Sequence, residues 1–402
     1  MLNPSLALLA SIAAILILLR LKIHPGLAIF AGSLIISLLI LPLHSIPTLM
    51  IQTLLNHATL RLLAIIACAL TLSRLMEVKG LLTKLAATME RIGPKLAMHL
   101  TPAAIGLVPM PGGALVSATA LRDLTKRIGL TPEQATFINY WFRHIWEYTL
   151  PVYPALITAS VILSIPLSSI VITLAPMTTL AIAFGAVSTY RILKTKKMTE
   201  TREKTSGSIA FNLLKASWPV LLLILLILVG LDTAVAFPIV LTLCALQQRA
   251  KWSELKEALR YGLGPKILLL LYAVMLYKAT IESSGAAYTL LSDMEGIRLP
   301  TLAILAALPF LVGFATGLSL PFVGIAFPLL VSFIAPDSGV NNYALLLAYT
   351  SGMVGLLLSP LHLCLILSAE YFKATLAKVY RYLLPPLLAM EAIVILVYYI
   401  AA

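Results

Sequence analysis

The sequence predicts an all-α polytopic membrane protein of about ten transmembrane helices plus two re-entrant hairpins. These are arranged in two inverted repeats, with broken helices at the substrate site. Three observations predict it. The 402-residue chain is 60% hydrophobic and 11% charged, with mean hydropathy +1.00, whereas a soluble domain carries about 25% charged residues. Its apolar runs have the length of about 20 residues that crosses roughly 30 Å of hydrocarbon, and the short alternating segments of a β-barrel do not occur. Finally, Glu77, Gly80, Met89 and Glu90 recur at an offset of 205 as Glu282, Gly285, Met294 and Glu295. Each set is followed by an apolar stretch broken by Gly and Pro, then by a long apolar helix broken at a proline.

Taken in order, the first span is 4–20. It lacks a basic leading region and a small-residue cleavage site, so it is expected to be retained rather than removed as a signal peptide. Spans follow at about 26–43 and 57–76. The stretch 97–120, with Val108-Pro-Met-Pro-Gly-Gly113 at its middle, is expected to form the first hairpin. A broken helix at 134–164, interrupted at Thr149-Leu-Pro151, and a span at 168–190 complete the first repeat, 1–190. A polar linker, 191–212, joins it to the second repeat, 213–402. That repeat is expected to hold spans at 213–231, 233–248, 264–283 and 383–401. Its hairpin lies at 300–335 around Thr316-Gly-Leu-Ser-Leu-Pro321, and its broken helix at 342–371 is interrupted at Leu358-Ser-Pro360.

Charge orients these elements. The net charge is +13. With both termini outside, all the Lys and Arg except Arg61, Arg143, Lys278 and Arg298 fall on the cytoplasmic side. That bias is the positive-inside pattern. It makes the basic balance a record of topology with some attraction to membrane lipid, and removes nucleic acid as a partner. The first hairpin, flanked by Arg91, Lys95, Arg122, Lys126 and Arg127, enters from the cytoplasm. The second, flanked by Asp293, Glu295 and Asp337, enters from outside. Cys68, Cys244 and Cys364 lie scattered in apolar spans, with neither a disulfide framework nor metal-ligand spacing. No Walker loop or dinucleotide signature occurs, so no cofactor is expected beyond a sodium ion used for coupling. Nor is an enzyme: His144, Glu147 and His362 lack a nucleophile–base spacing.

The interruptions carry the candidate site. An unpaired backbone group in hydrocarbon costs several kcal/mol, so broken backbone must lie inside protein or along a polar cavity. Matched breaks in two halves mark the substrate site of a secondary transporter. Pro109 and Pro111 end one helix, Gly112 and Gly113 reverse the chain, and Ala114–Thr119 begin a helix whose free N–H groups suit an anion. Ser117 adds a hydroxyl. Thr316, Gly317, Ser319 and Pro321 repeat the arrangement. At an offset of 209, Tyr140 aligns with Tyr349, Pro151 with Pro360, and Tyr153 with His362. Arg143 and Glu147, four residues apart, are expected to share a helix face and pair. Arg143 is the candidate anion ligand; His144, Thr149, Ser359 and His362 line the same breaks. Glu147 is the candidate coupling group. Lys278 and Glu282 are expected to pair near the outer surface.

The run Gly106-Leu-Val-Pro-Met-Pro-Gly-Gly-Ala-Leu-Val-Ser-Ala118, with the broken helix after it, resembles the DUF401 family of prokaryotic integral membrane proteins. That family is similar to the ion transporter superfamily of gluconate permeases, citrate and dicarboxylate carriers and sodium/proton antiporters. The resemblance covers nearly the whole chain. It implies a homodimer in the prokaryotic inner membrane, with a scaffold, a mobile transport unit and elevator-like movement. Unlike the dicarboxylate branch, neither hairpin carries a Ser-Asn-Thr triplet. The expected function is secondary active transport of a small organic anion, coupled to a proton or sodium gradient. The alternatives are a cation/proton antiporter and a carrier of lipid-linked phosphates.

Overall fold

The computed structural model describes residues 3–90, 92–110, 112–194, 208–296 and 300–401. Pro111, Arg91, Arg298 and linker residues 195–207 lie outside the described residues, as do the side chains of Glu90, Met294 and Glu295. The described chain is helical, without strands. The first half runs through α1 (Pro4–Arg20), α2 (Pro25–Ile40), α3 (Ser45–Leu55), α4 (His57–Val78), α5 (Leu81–Glu90), α6 (Pro94–Ile105), α7 (Gly113–Ile128), α8 (Pro132–His144), α9 (Pro154–Leu163) and α10 (Leu167–Lys194). The second runs through α11 (Ile209–Leu228), α12 (Thr233–Gln247), α13 (Trp252–Gly262), α14 (Pro265–Ser284), α15 (Ala286–Gly296), α16 (Thr301–Thr316), α17 (Ser319–Ile334), α18 (Asn342–Leu358), α19 (Leu363–Phe372) and α20 (Leu376–Ala401).

Local chemistry sets these boundaries. Six helices begin with proline at the first position, Pro4, Pro25, Pro94, Pro132, Pro154 and Pro265, where the missing N–H removes no helical bond. Asn3 also caps α1, and Asn56, Ser208, Asp232 and Asn341 cap others, each through a side-chain oxygen. Thr131 and Gln134 close a reciprocal capping box on α8, satisfying two end groups at once.

The chain is a multi-pass membrane protein. Among the described residues, six helical segments are long and apolar enough to cross: His57–Val78, Leu167–Lys194, Ile209–Leu228, Trp252–Ser284, Asn342–Phe372 and Leu376–Ala401. Three expected spans are shorter helices of 17, 16 and 15 residues, α1, α2 and α12. At 1.5 Å per residue these reach about 23–26 Å, short of the full hydrocarbon core. Hydropathy also passed over α3, α5, α13 and α15, short helices between the longer ones.

The packing of one half is echoed in the other. α6 pairs with α7 and α8 as α16 pairs with α17 and α18. α4 packs on α12 and α13 as α14 packs on α2 and α3. The second arm of each hairpin reaches across the molecule, α7 to α19 and α17 to α9. The two broken helices therefore meet in the middle, each held by the other half's hairpin. Ion pairs tie the ends of these layers. Arg61 meets Asp232 at 2.6 Å, and Lys79 meets Glu254 at 2.9 Å. Each pair joins residues that the charge pattern assigns to the same side.

Candidate functional site

Both predicted breaks are present. α8 stops at His144, tightens into a 3-10 turn over Ile145–Tyr148, and resumes as α9 at Pro154. α18 stops at Leu358 and resumes as α19 at Leu363. Pro151 and Pro360 sit in the gaps, where neither has an N–H to leave unpaired.

The aligned residues make equivalent bonds across the centre. The Tyr140 hydroxyl donates to the Leu357 carbonyl at 3.1 Å, and the Tyr349 hydroxyl donates to the Glu147 carbonyl at 2.9 Å. Each tyrosine thus satisfies a backbone carbonyl that the opposite break has released. The Tyr153 hydroxyl donates to the Gly106 carbonyl at 2.6 Å, and His362 Nδ1 meets the Gly317 carbonyl at 2.6 Å. These two bonds fasten each hairpin to the break of its own half. Gly106 lies directly against the Arg143 backbone, and Gly313 lies directly against the Gly352 backbone. A Cβ at either position would enter a carbonyl oxygen.

Arg143 is buried, with 3% of its surface exposed. The expected ion pair with Glu147 is not formed. The helix tightens just after Arg143, so the four-residue spacing no longer sets the two side chains on one face. Glu147 turns instead toward His144, its Oε1 3.7 Å from Nε2. Arg143 Nη2 donates to the Met110 carbonyl at 3.0 Å, and its Nε has no hydrogen-bond partner. No carboxylate among the described residues pairs with it. The guanidinium lies beside Gly113: a Cβ built there would stand 2.6 Å from Nη2 and 2.8 Å from Nε. Gly113 begins α7, and Gly112, at φ +75°, caps it without a side-chain bond. A buried cation therefore stands at the positive end of a helix dipole, an arrangement that favours an anion between them.

A second cluster lies at the meeting of the breaks. His144 and His362 face each other, Nε2 to Nε2, at 3.0 Å. The other ring nitrogen of His144 meets the Tyr140 carbonyl at 2.6 Å. The candidate ligand atoms of His144, His362 and Cys364 all lie within 4.8 Å of one another. Their spacing in the chain gave no hint of this, because His144 lies in the other half, 218 positions before His362 and 220 before Cys364.

The remaining candidates are spread more widely. Ser117 donates to the Ala114 carbonyl of its own helix, and Thr149 meets Thr178 of α10 at 2.9 Å, so neither hydroxyl is aimed at Arg143. Thr316 closes its own turn through the Leu318 carbonyl and N–H. Gly317, at φ +63°, presses on the His362 N–H. Pro109, Pro321 and Ser359 are buried, Ser319 is half-buried and Pro360 is exposed. Lys278 and Glu282 do pair, at 3.7 Å. Asn139 was passed over: it is buried one turn before Arg143, and its amide donates to the Ala114 carbonyl and to Ser368 Oγ. A lone amide on the apolar face of a broken span was its signal. Glu391, whose partner the sequence left open, accepts from Ser351 at 2.5 Å.

No curated protein matches the chain. Among solved structures, the YdaH transporter of Alcanivorax borkumensis is similar, with a TM-score of 0.64 at 14% identity. The match covers 89% of this chain and 88% of that one. At that identity the likeness is one of fold alone. The model of the family described as protein of unknown function (DUF401) matches residues 3–401. The chain belongs to the DUF401 family of membrane proteins.

Proposed function

We propose that this protein is a secondary active transporter of a small organic anion of the carboxylate class. The observation that carries the reading is Arg143: a buried guanidinium with an unpartnered Nε, no carboxylate paired with it among the described residues, and the start of α7 beside it. Leaving a buried donor unmade costs about 1–3 kcal/mol, more when the group is charged. A bound carboxylate would accept from Arg143 at the positive end of the α7 dipole, whose Gly113, Leu115 and Val116 N–H groups already donate to the Met110 and Gly112 carbonyls. In this reading Gly113 keeps the approach open, and His144, Glu147 and His362 adjoin the site at the crossing. Glu147, unpaired with Arg143, is the group that takes up the coupling proton. A sodium gradient is the alternative driving force.

The reading extends to the whole assembly. The division at 191–212, opposed orientations of the two halves, both termini outside in the prokaryotic inner membrane, a homodimer and elevator-type movement all belong to it. The paired packing of the halves supports the two-repeat part. A second reading, cation/proton antiport, is favoured by the same freedom of Glu147.

A panel of ligands separates the readings through thermal stability of the purified protein. Short mono- and dicarboxylates are expected to raise the unfolding temperature in proportion to occupancy. Stabilisation by sodium or protons alone, with none by organic acids, would favour the antiporter. Stabilisation only by polyprenyl phosphates would favour a lipid-linked cargo.

A further inference from the structure

We infer that His144, His362 and Cys364 form a binding site for a borderline-soft divalent metal ion of the zinc class. The site holds the two broken helices together at their crossing.

Hydrogen-bond logic carries the inference. A backbone carbonyl can only accept. His144 Nδ1 lies 2.6 Å from the Tyr140 carbonyl, and His362 Nδ1 lies 2.6 Å from the Gly317 carbonyl. Both Nδ1 atoms must therefore carry the hydrogen, which leaves a lone pair on each Nε2 of the neutral rings. Those two lone pairs point at each other across 3.0 Å. Two facing acceptors repel unless a cation lies between them. Only a proton or a metal ion is small enough.

The surroundings favour the metal. The Cys364 sulfur completes a group of three donors within 4.8 Å of one another, and all three side chains are at least nine-tenths buried. Imidazole and thiolate are the donors that zinc and its neighbours prefer, at about 2.0–2.1 Å for nitrogen and 2.3 Å for sulfur. The backbone carbonyls behind both rings are the outer partners that usually fix the ring and tautomer of a metal-bound histidine. Glu147 lies outside this group of three, so a water molecule would take the fourth position. On binding, the Cys364 thiol gives up its proton to solvent and the ion takes the thiolate; both Nε2 atoms bind as they stand.

This site does not depend on the anion reading. It joins α8 of one half to the start of α19 in the other, so an ion there would set the relative position of the two breaks. A proton shared between the rings would explain the facing nitrogens alone, whereas a metal ion draws on the sulfur beside them as well.

The test uses the full-length protein in detergent, stripped with a chelator and titrated with cobalt(II), a coloured stand-in for zinc. One cobalt per chain is expected, with the strong visible bands of a tetrahedral site and a sulfur-to-cobalt charge-transfer band. Zinc should bleach both. Cys364→Ser, a near-isosteric change, should abolish the charge-transfer band while the protein still elutes as the parent does. His362→Gln should weaken binding on the order of 100-fold. A parent protein without the charge-transfer band overturns the proposal. So does persistence of the band in Cys364→Ser, which would assign it to Cys68 or Cys244. Retention of parent affinity in a folded His362→Gln protein overturns it equally.

Discussion

At the scale of the residue, position 143 departs most from the pattern around it. Where the first half has Arg143 packed on Gly106, the second half has Gly352 packed on Gly313. The backbone contact is kept and the charge is not. The equivalents of His144 and Glu147 at the same offset are Met353 and Leu356. Arg143, His144 and Glu147 thus come from one half alone, while the backbone geometry comes from both. Gly113 is the companion of Arg143. A valine there would drive two methyl groups into the guanidinium, so Gly113→Val is expected to abolish anion-dependent thermal stabilisation while leaving the protein folded. An unchanged ligand response in a folded Gly113→Val protein would remove Gly113 from the site. Glu147→Gln separates coupling from support. If Glu147 carries the proton, the variant should lose gradient-driven accumulation in proteoliposomes yet keep counterflow exchange. Equal loss of both would make it a structural group.

At the scale of the element, the breaks are stabilised by reciprocal donation. Each half ends a helix at mid-molecule and so releases carbonyls that hydrocarbon cannot satisfy. Tyr140 and Tyr349 satisfy one carbonyl apiece in the opposite half. Tyr140→Phe and Tyr349→Phe should each cost about 1–3 kcal/mol, because each strands a buried carbonyl. The check is chemical or thermal unfolding in detergent. The two losses should be close to each other in size. A Tyr349→Phe protein as stable as the parent would show that the carbonyl has another partner. The hairpins are held by the Tyr153 and His362 side chains and also by close backbone contact at glycines. Gly106→Ala and Gly313→Ala each put a methyl group into a carbonyl, an overpacking expected to cost about 1–3 kcal/mol or to displace the hairpin.

At the scale of the molecule, the charge pattern predicts accessibility. In a background without native cysteines, Cys placed at Lys126 or Ser206 is expected to react with impermeant reagents only from the cytoplasm. Cys at Ser338 is expected to react only from outside. Ser206 lies outside the described residues, so that site rests on charge alone. Labelling of Ser206 and Ser338 from one side would contradict opposed halves. Much of this architecture was legible in the sequence because it rests on local rules. Proline interruptions and the offset of 209 marked the two helix breaks that the structure shows at 145–153 and 359–362. What stayed hidden was long-range. The Arg143–Glu147 pairing assumed that an α-helix ran through a segment that the structure tightens to 3-10, and no local signal marks that change. Cys364 looks isolated in the sequence because His144 lies 220 positions away, and His362, two positions before it, is no ligand pattern by itself. Asn139 was overlooked because a single amide carries no period.

The central claim is that Arg143 holds the transported anion, and direct binding to Arg143 variants tests it most directly. Isothermal titration would use the best-stabilising carboxylate from the ligand panel against parent, Arg143→Lys and Arg143→Gln proteins of verified fold. Loss of a charged hydrogen-bond donor at about 1.5–3 kcal/mol predicts affinity about 10- to 100-fold weaker for Arg143→Gln. Arg143→Lys should fall between, since it restores the charge but not the planar fork. Binding by Arg143→Gln as tight as by the parent would contradict the account, and would leave the antiporter reading, with Glu147 as the ion ligand, in its place.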